Sequence, residues 1–196
     1  MNVSTWGRRI AAGLMLSLSA GAAQAEIVDF SVGDNSFRLA LYGPLSRVFD
    51  NAKGQYDVGV IMRPERNDDL LVVHTGVLLT GDAGIKSANV AAGLGIRGVY
   101  IGRDADSGGA VALGGQLEFR FPGYERVGFS VYGYGAPEAT SLGQVDKYYE
   151  VGVGVDYQVL KDASIYVGYR EVRVDIADLT DVKADDSFHI GLRLNF

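Results

Sequence analysis

The chain ends in SFHIGLRLNF, residues 187–196, and every second side chain of this stretch is apolar. Successive side chains of a β-strand point to opposite faces, so a period of two predicts a strand with one apolar and one polar face. The residues between the apolar positions are small or polar. The apolar positions are Phe188, Ile190, Leu192, Leu194 and Phe196.

The same alternation recurs upstream, and clusters of glycine, proline, asparagine and aspartate separate its occurrences. Residues 70–79 are an exception because they are apolar on both faces. The alternation also slips near Arg170 and Glu171, which indicates a β-bulge or the point where the strand leaves a bilayer. Ten strands are predicted, at 27–32, 36–43, 56–63, 70–80, 90–102, 111–121, 127–136, 148–159, 163–174 and 187–196.

The first residues have the three parts of an export signal. Arg8 and Arg9 precede an uncharged apolar run over 10–20, and Ala23-Gln24-Ala25 forms a small-x-small cleavage site. A membrane anchor is the alternative, but the run is shorter than the roughly 20 residues that a membrane helix needs. We therefore predict a cleaved signal over residues 1–25 and one mature domain over 26–196.

Composition restricts the partners of the mature chain. Loss of residues 1–25 lowers Lys+Arg from 18 to 16 against 24 Asp+Glu, which gives a net charge of −8. Such an acidic chain is a poor partner for nucleic acid. The absence of cysteine excludes a disulfide framework, and with only two histidines we expect no metal site and no cofactor.

The direction of the alternation separates a soluble barrel from a membrane barrel. A lipocalin-like barrel turns its apolar face inward, whereas a membrane barrel turns it toward lipid and lines its lumen with small and polar residues. The polar face here contains many glycines, and its charged members include arginine but no lysine, as suits ion pairs in a confined space. With Asp29, the candidate lumen-lining charges are Arg38, Asp57, Arg63, Arg97, Glu118, Arg120, Glu150, Asp156, Arg170 and Arg193.

No apolar run after residue 25 has helix-spanning length, so a membrane-inserted mature chain must be a barrel. We predict an all-β, antiparallel transmembrane β-barrel of about ten strands, or eight if the first two strands stay outside the wall. An even number places both termini in the periplasm. The acidic segments 104–108, 137–146 and 178–186 are then predicted as outer loops.

The terminal strand resembles the signature that the barrel-assembly machinery recognises in outer-membrane proteins, so this machinery and outer-membrane lipid are expected partners. The segments Leu41-Tyr42-Gly43-Pro44-Leu45 and Val167-Gly168-Tyr169-Arg170, with the short turns, resemble the YfaZ family over most of residues 26–196. That resemblance implies an outer-membrane barrel, sometimes called porin-like, without an established substrate. It implies no particular functional residues.

Three functions remain open at this level. In one alternative, ion pairs between lumen side chains fill the barrel and close it, which the small diameter favours. In the other, the lumen is a narrow channel for small polar solutes. An interaction barrel would act through the acidic outer loops. An enzyme would need His74 or His189 beside a serine or carboxylate, and Ser187 lies two residues from His189 on the same strand face. We expect no catalytic site.

Overall fold

The computed structural model describes residues 26–50, 52–64, 69–84, 89–103, 106–176 and 179–196, so the predicted signal over 1–25 lies outside the described residues. Within these ranges, no helix has the length and apolarity of a membrane-crossing helix. The strands are β1 (Ile27–Gly33), β2 (Phe37–Pro44), β3 (Gln55–Arg63), β4 (Leu70–Asp82), β5 (Asn89–Arg103), β6 (Asp106–Arg120), β7 (Val127–Ala136), β8 (Ser141–Gly143), β9 (Val145–Leu160), β10 (Ala163–Ile176) and β11 (Leu179–Asn195).

Ten antiparallel strands close into a barrel, as the alternation predicts. Each wall strand pairs with its neighbours, and the ring closes where β1 pairs with β11, Ile27 opposite Asn195. The alternative of eight strands is wrong, because β1 and β2 both belong to the wall despite having only seven and eight residues. The short β8 pairs with β6 and continues the wall beyond the end of β7. Glu26 and Phe196, the first and last residues that the structure describes, lie together at one end of the barrel, which we call the periplasmic end.

The three predicted outer loops largely belong to the wall. Strand β6 begins at Asp106, β8 and the start of β9 occupy much of 137–146, and β11 begins at Leu179. The prediction treated charged residues as loop, but these strands continue beyond the bilayer, where charged outward side chains are stable in water. The β10–β11 hairpin therefore extends about ten residues of β11 past Gly33, the last residue of β1.

A band of exposed apolar side chains surrounds the barrel. Leu94, Leu113, Val153, Val167 and Ile190 each keep half or more of their surface exposed, which a water-soluble sheet would avoid. Aromatic side chains lie at both borders of the band, as at the interfaces of an outer-membrane barrel. They are Phe37, Tyr100, Tyr149 and Phe188 at the outer border, and Phe121, Phe129, Tyr157 and Phe196 at the periplasmic border.

Strand β10 shows where the wall leaves the bilayer. Up to Tyr169 its outward residues are apolar or aromatic, and beyond it they are charged, beginning with Glu171 and Arg173. The inward residues change from polar to apolar at the same point, because Arg170 is followed by the buried residues Val172, Val174 and Ile176. The slip predicted near residue 170 is therefore the bilayer exit, and the accompanying bulge lies on β11, where Ala184 is the extra residue.

This change of polarity leaves the outer part of the lumen filled with apolar side chains, which we call the apolar plug. Val172, Ile101 and Val72, from three different strands, are 0 % exposed, so no water reaches them. The plug also explains why β4 is apolar on both faces, because its inward residues Leu70 and Val72 pack here. Its members are Ile61, Leu70, Val72, Val99, Ile101, Ala110, Ala136, Val145, Val172, Val174, Ile176 and Ala184.

Candidate functional site

Below the apolar plug, a buried ion network crosses the lumen. Arg97 of β5 contacts Asp57 of β3 at 2.6 Å and Glu150 of β9 at 2.7 Å, although these strands are not neighbours in the wall. The guanidinium also lies 3.7 Å from the centre of the Tyr134 ring, a cation–π distance. Tyr148 donates a hydrogen bond to Glu150 at 2.6 Å. One arginine thus links opposite walls through two carboxylates.

A second network joins β1, β2, β10 and β11 nearer the periplasmic end. Asp29 Oδ1 accepts hydrogen bonds from Arg38 at 3.2 Å and from the Tyr166 hydroxyl at 2.6 Å. Its other oxygen, Oδ2, accepts from Arg193 Nε at 3.2 Å. Arg38 also donates to the Tyr42 hydroxyl. Asp29 is 1 % exposed, so a single buried carboxylate holds two guanidinium groups.

A third group lies on the β10–β11 hairpin. Arg170 and Asp185 form a buried pair through Arg170 Nη2 at 2.5 Å and Nε at 2.6 Å, and Ser187 donates to the other oxygen of Asp185 at 2.6 Å. Both arginine nitrogens contact the same oxygen, Oδ2, and hydrogen bonds between two charged groups are stronger than those between neutral groups. This pair balances its own charge and fastens the hairpin directly below the apolar plug.

Aromatic rings lie across glycines on the neighbouring strand throughout the lumen. A Cβ atom on these glycines would overlap the ring, so the glycines give the rings space to lie against the wall. This arrangement accounts for a part of the 27 glycines and of the 11 tyrosines in the chain. The inward pairs are Tyr132 on Gly152, Tyr134 on Gly114, Tyr166 on Gly191, His74 on Gly59 and His189 on Gly168.

We expect Gly191→Ala to destabilise the barrel by about 1–3 kcal/mol, because the added methyl group displaces the Tyr166 ring that donates to Asp29. Gly98→Ala is the matched control, since the nearest atom to its new methyl group would be 3.7 Å away. Urea unfolding of the refolded barrels in lipid vesicles measures both. Equal losses for the two variants would contradict the role assigned to the ring–glycine contact.

A cavity of about 90 Å³ lies beside the second network. Its walls include Asp29, Arg38, Arg193, Tyr132 and Tyr166, all polar or amphipathic. Further lining residues lie at the periplasmic ends of their strands, where the side chains keep part of their surface exposed, so the cavity faces the periplasm. These residues are Ile27, Gln55 and Glu118.

The candidate lumen charges occupy different depths. Six are buried, and Arg193 is partly exposed. All seven take part in the networks or, for Asp156, in a pair with Arg120 nearer the periplasmic end. The six buried residues are Arg38, Asp57, Arg97, Glu150, Asp156 and Arg170. Arg120 is itself one third exposed, and Glu118 is half-buried at the cavity. Arg63 lies at the opposite end, where it donates to the backbone carbonyl of Lys183.

Sequence reasoning missed the tyrosines and Asp185. The phase of alternation could have identified Tyr166, which shares its strand face with Ser164 and Arg170. Asp185 shares its strand face with Ser187, and it was missed because residues 178–186 were predicted as a loop instead of as part of the last strand.

The two histidines have different surroundings. His74 Nε2 lies 3.4 Å from Asp57, whereas the His189 ring meets the edge of Tyr166 at 5.7 Å between centroids. Ser187 donates to Asp185, and among the described residues no hydrogen bond joins a serine to either histidine. The described part of the chain likewise contains no group of three acidic or histidine side chains placed to hold a metal.

Solved structures with similar folds include two kinds of outer-membrane protein. A KdgM porin matches with 10 % identity and a TM-score of 0.42, over 88 % of this chain and 99 % of its own. Outer membrane phospholipase A from Escherichia coli matches with 11 % identity and a TM-score of 0.44, over 88 % of this chain and 97 % of its own. A comparison with curated protein sequences found no match.

The family model described as YfaZ precursor matches residues 8–196. This match confirms the family predicted from the segments around Tyr42 and Tyr169. An apolar band with aromatic borders places the barrel in lipid, and the outer membrane is where such barrels occur. Since the match spans nearly the whole chain, the protein is an outer-membrane barrel that belongs to the YfaZ precursor family.

Proposed function

We propose that the protein is a barrel closed toward the outside, whose lumen is a periplasm-facing cavity for a small polar solute rather than a continuous pore. The observation that carries this proposal is the apolar plug, in which Val72, Ile101 and Val172 are 0 % exposed. An ion crossing this layer would lose its hydration without gaining any polar partner, which is costly.

The ion networks below the plug support the same function. Arg97 forms ion pairs with Asp57 and Glu150, which connect opposite walls of the barrel. Arg170 forms an ion pair with Asp185, which connects two adjacent strands. Small barrels generally fill their interiors with side chains in this way. The cavity beside Asp29 retains free space and access from the periplasm.

The outer rim supports an interaction function less well. The segments that suggested acidic loops are mostly wall strands, and their charges contact one another. Arg173 pairs with Glu171 and Asp181, and Lys183 pairs with Asp186. These pairs set two cations against three carboxylates and so leave a small negative surplus at the rim. The lumen is the better supported site because its cavity is lined by buried polar side chains such as Asp29 and Arg38.

Single-channel conductance of refolded residues 26–196 in a planar bilayer tests the proposal. We expect an electrically silent bilayer in which the protein is nevertheless folded and inserted, as judged by heat-modifiable mobility in a gel. Discrete steps whose size depends on salt concentration would overturn the closed-barrel proposal. They would instead support a narrow channel with the lumen arginines and carboxylates at its constriction.

A further inference from the structure

The charges that line the cavity do not cancel around Asp29. Arg170 is balanced by Asp185 and Arg120 by Asp156, each within 2.7 Å. Asp29, in contrast, is the one carboxylate within 4.0 Å of both Arg38 and Arg193 in the described part of the chain. Two guanidinium groups against one carboxylate leave a local surplus of one positive charge at the inner wall of the cavity, which Glu118 offsets only from beyond 4.0 Å.

The donors of this cluster are also incompletely used. Both oxygens of Asp29 already accept hydrogen bonds, and Arg38 Nε has no hydrogen-bond partner among the described residues. Arg38 is only 6 % exposed, so bulk water gives its charge little compensation. A buried charge without a full set of partners is costly, and an anion bound next to it would lower that cost.

The mouth of the cavity has the opposite charge. Glu118 lines it from β6, and no cation of the described residues lies within ion-pair distance of its carboxylate. An entering anion must pass this carboxylate on its way to the inner wall. Removal of this charge should therefore favour an anion held at the inner wall.

We infer that the cavity binds a small carboxylate anion that enters from the periplasm, with Arg38 and Arg193 as its binding residues. This inference rests on the proposed periplasm-facing cavity and names the solute class. A single surplus charge matches a monoanion, and the planar guanidinium presents donors in the geometry of a carboxylate. The volume of about 90 Å³ corresponds to roughly three waters at about 30 Å³ each, which limits the ligand to a small organic acid.

Acetate and acetamide, which have the same shape but differ in charge, provide the test. The full mature barrel, ¹⁵N-labelled and refolded in micelles, is titrated with each compound at constant ionic strength, and the Arg38 Nε–Hε resonance is followed by NMR. We expect a saturable shift with acetate and affinity for acetamide lower by about tenfold, since hydrogen bonds between charged groups are the stronger ones. Equal affinities would overturn the carboxylate assignment but leave a cavity for neutral polar solutes. Binding of neither compound would overturn both the assignment and the solute-binding part of the proposed function.

Three variants sharpen the result. Arg193→Gln should weaken acetate binding about tenfold, and Glu118→Gln should strengthen it severalfold. Arg173→Gln, the same charge change at the outer end, should leave affinity within about twofold. If Arg193→Gln and Arg173→Gln weakened acetate binding equally, the effect would come from net charge alone, and the proposed site would be refuted.

If Arg193→Gln fails to fold, Glu118→Gln and the acetate–acetamide comparison still test whether the cavity binds a carboxylate. Conductance by a barrel that binds acetate would overturn only the closed-barrel proposal.

Discussion

Leu192→Arg should prevent stable insertion of the barrel. Leu192 lies in the middle of the five apolar positions of β11, faces lipid with 40 % of its surface exposed, and is paired with Phe30 and Ile165 on its two neighbours. An arginine here places a charge near the bilayer centre, at a cost of about 2–4 kcal/mol. Refolding into lipid vesicles, followed by the heat-modifiable gel band of the folded barrel, measures the loss.

The adjacent residue provides the control. Arg193→Leu changes a side chain that points inward and donates to Asp29 at 3.2 Å, and Arg38 and Tyr166 remain bound to that carboxylate. We therefore expect a milder loss of insertion than for Leu192→Arg. If Arg193→Leu blocked insertion while Leu192→Arg inserted normally, the inside and outside of the barrel would have to be exchanged.

Sequence alone predicted the wall because lipid imposes a simple rule on it. A strand such as β11 must present Ile190 and Leu192 to hydrocarbon and their neighbours to the lumen, and this requirement is local enough to read from alternation. The rule fails beyond the bilayer, because water replaces lipid around the barrel. There the outward side chains are charged and the inward side chains are apolar. For this reason residues 179–186 of the predicted loop form a strand, and Val172 and Val174 point into the lumen instead of outward.

The site was less accessible to sequence reasoning. Alternation separates inward from outward residues, but the partner of an inward charge depends on strand tilt and on which walls approach each other. That Arg97 would reach Glu150, 53 residues away and on a strand it does not pair with, follows only from closure of the barrel. The surplus charge at Asp29 likewise depends on Arg38 and Arg193 approaching one carboxylate from opposite sides.

The Arg97 network should be the most sensitive point of the lumen. Asp57, Arg97 and Glu150 are at most 4 % exposed, so removing the arginine leaves two carboxylates buried without their counterion. Breaking a buried ion pair from one side costs about 3–5 kcal/mol. We expect Arg97→Met to lower the free energy of unfolding by at least this amount, measured by urea titration of the vesicle-bound barrel with linear extrapolation.

A triple variant separates charge from packing as the cause of this loss. Replacing Arg97 by Met together with Asp57→Asn and Glu150→Gln removes the unpaired charges while keeping nearly the same volumes, and we expect it to recover most of the stability. Arg120→Gln leaves one buried carboxylate, Asp156, without its counterion instead of two, so it should cost less than Arg97→Met. If the triple variant were as unstable as Arg97→Met, the methionine itself would be at fault. The network would then hold the walls together by shape and by the stacking of Arg97 on Tyr134, and not by its charges.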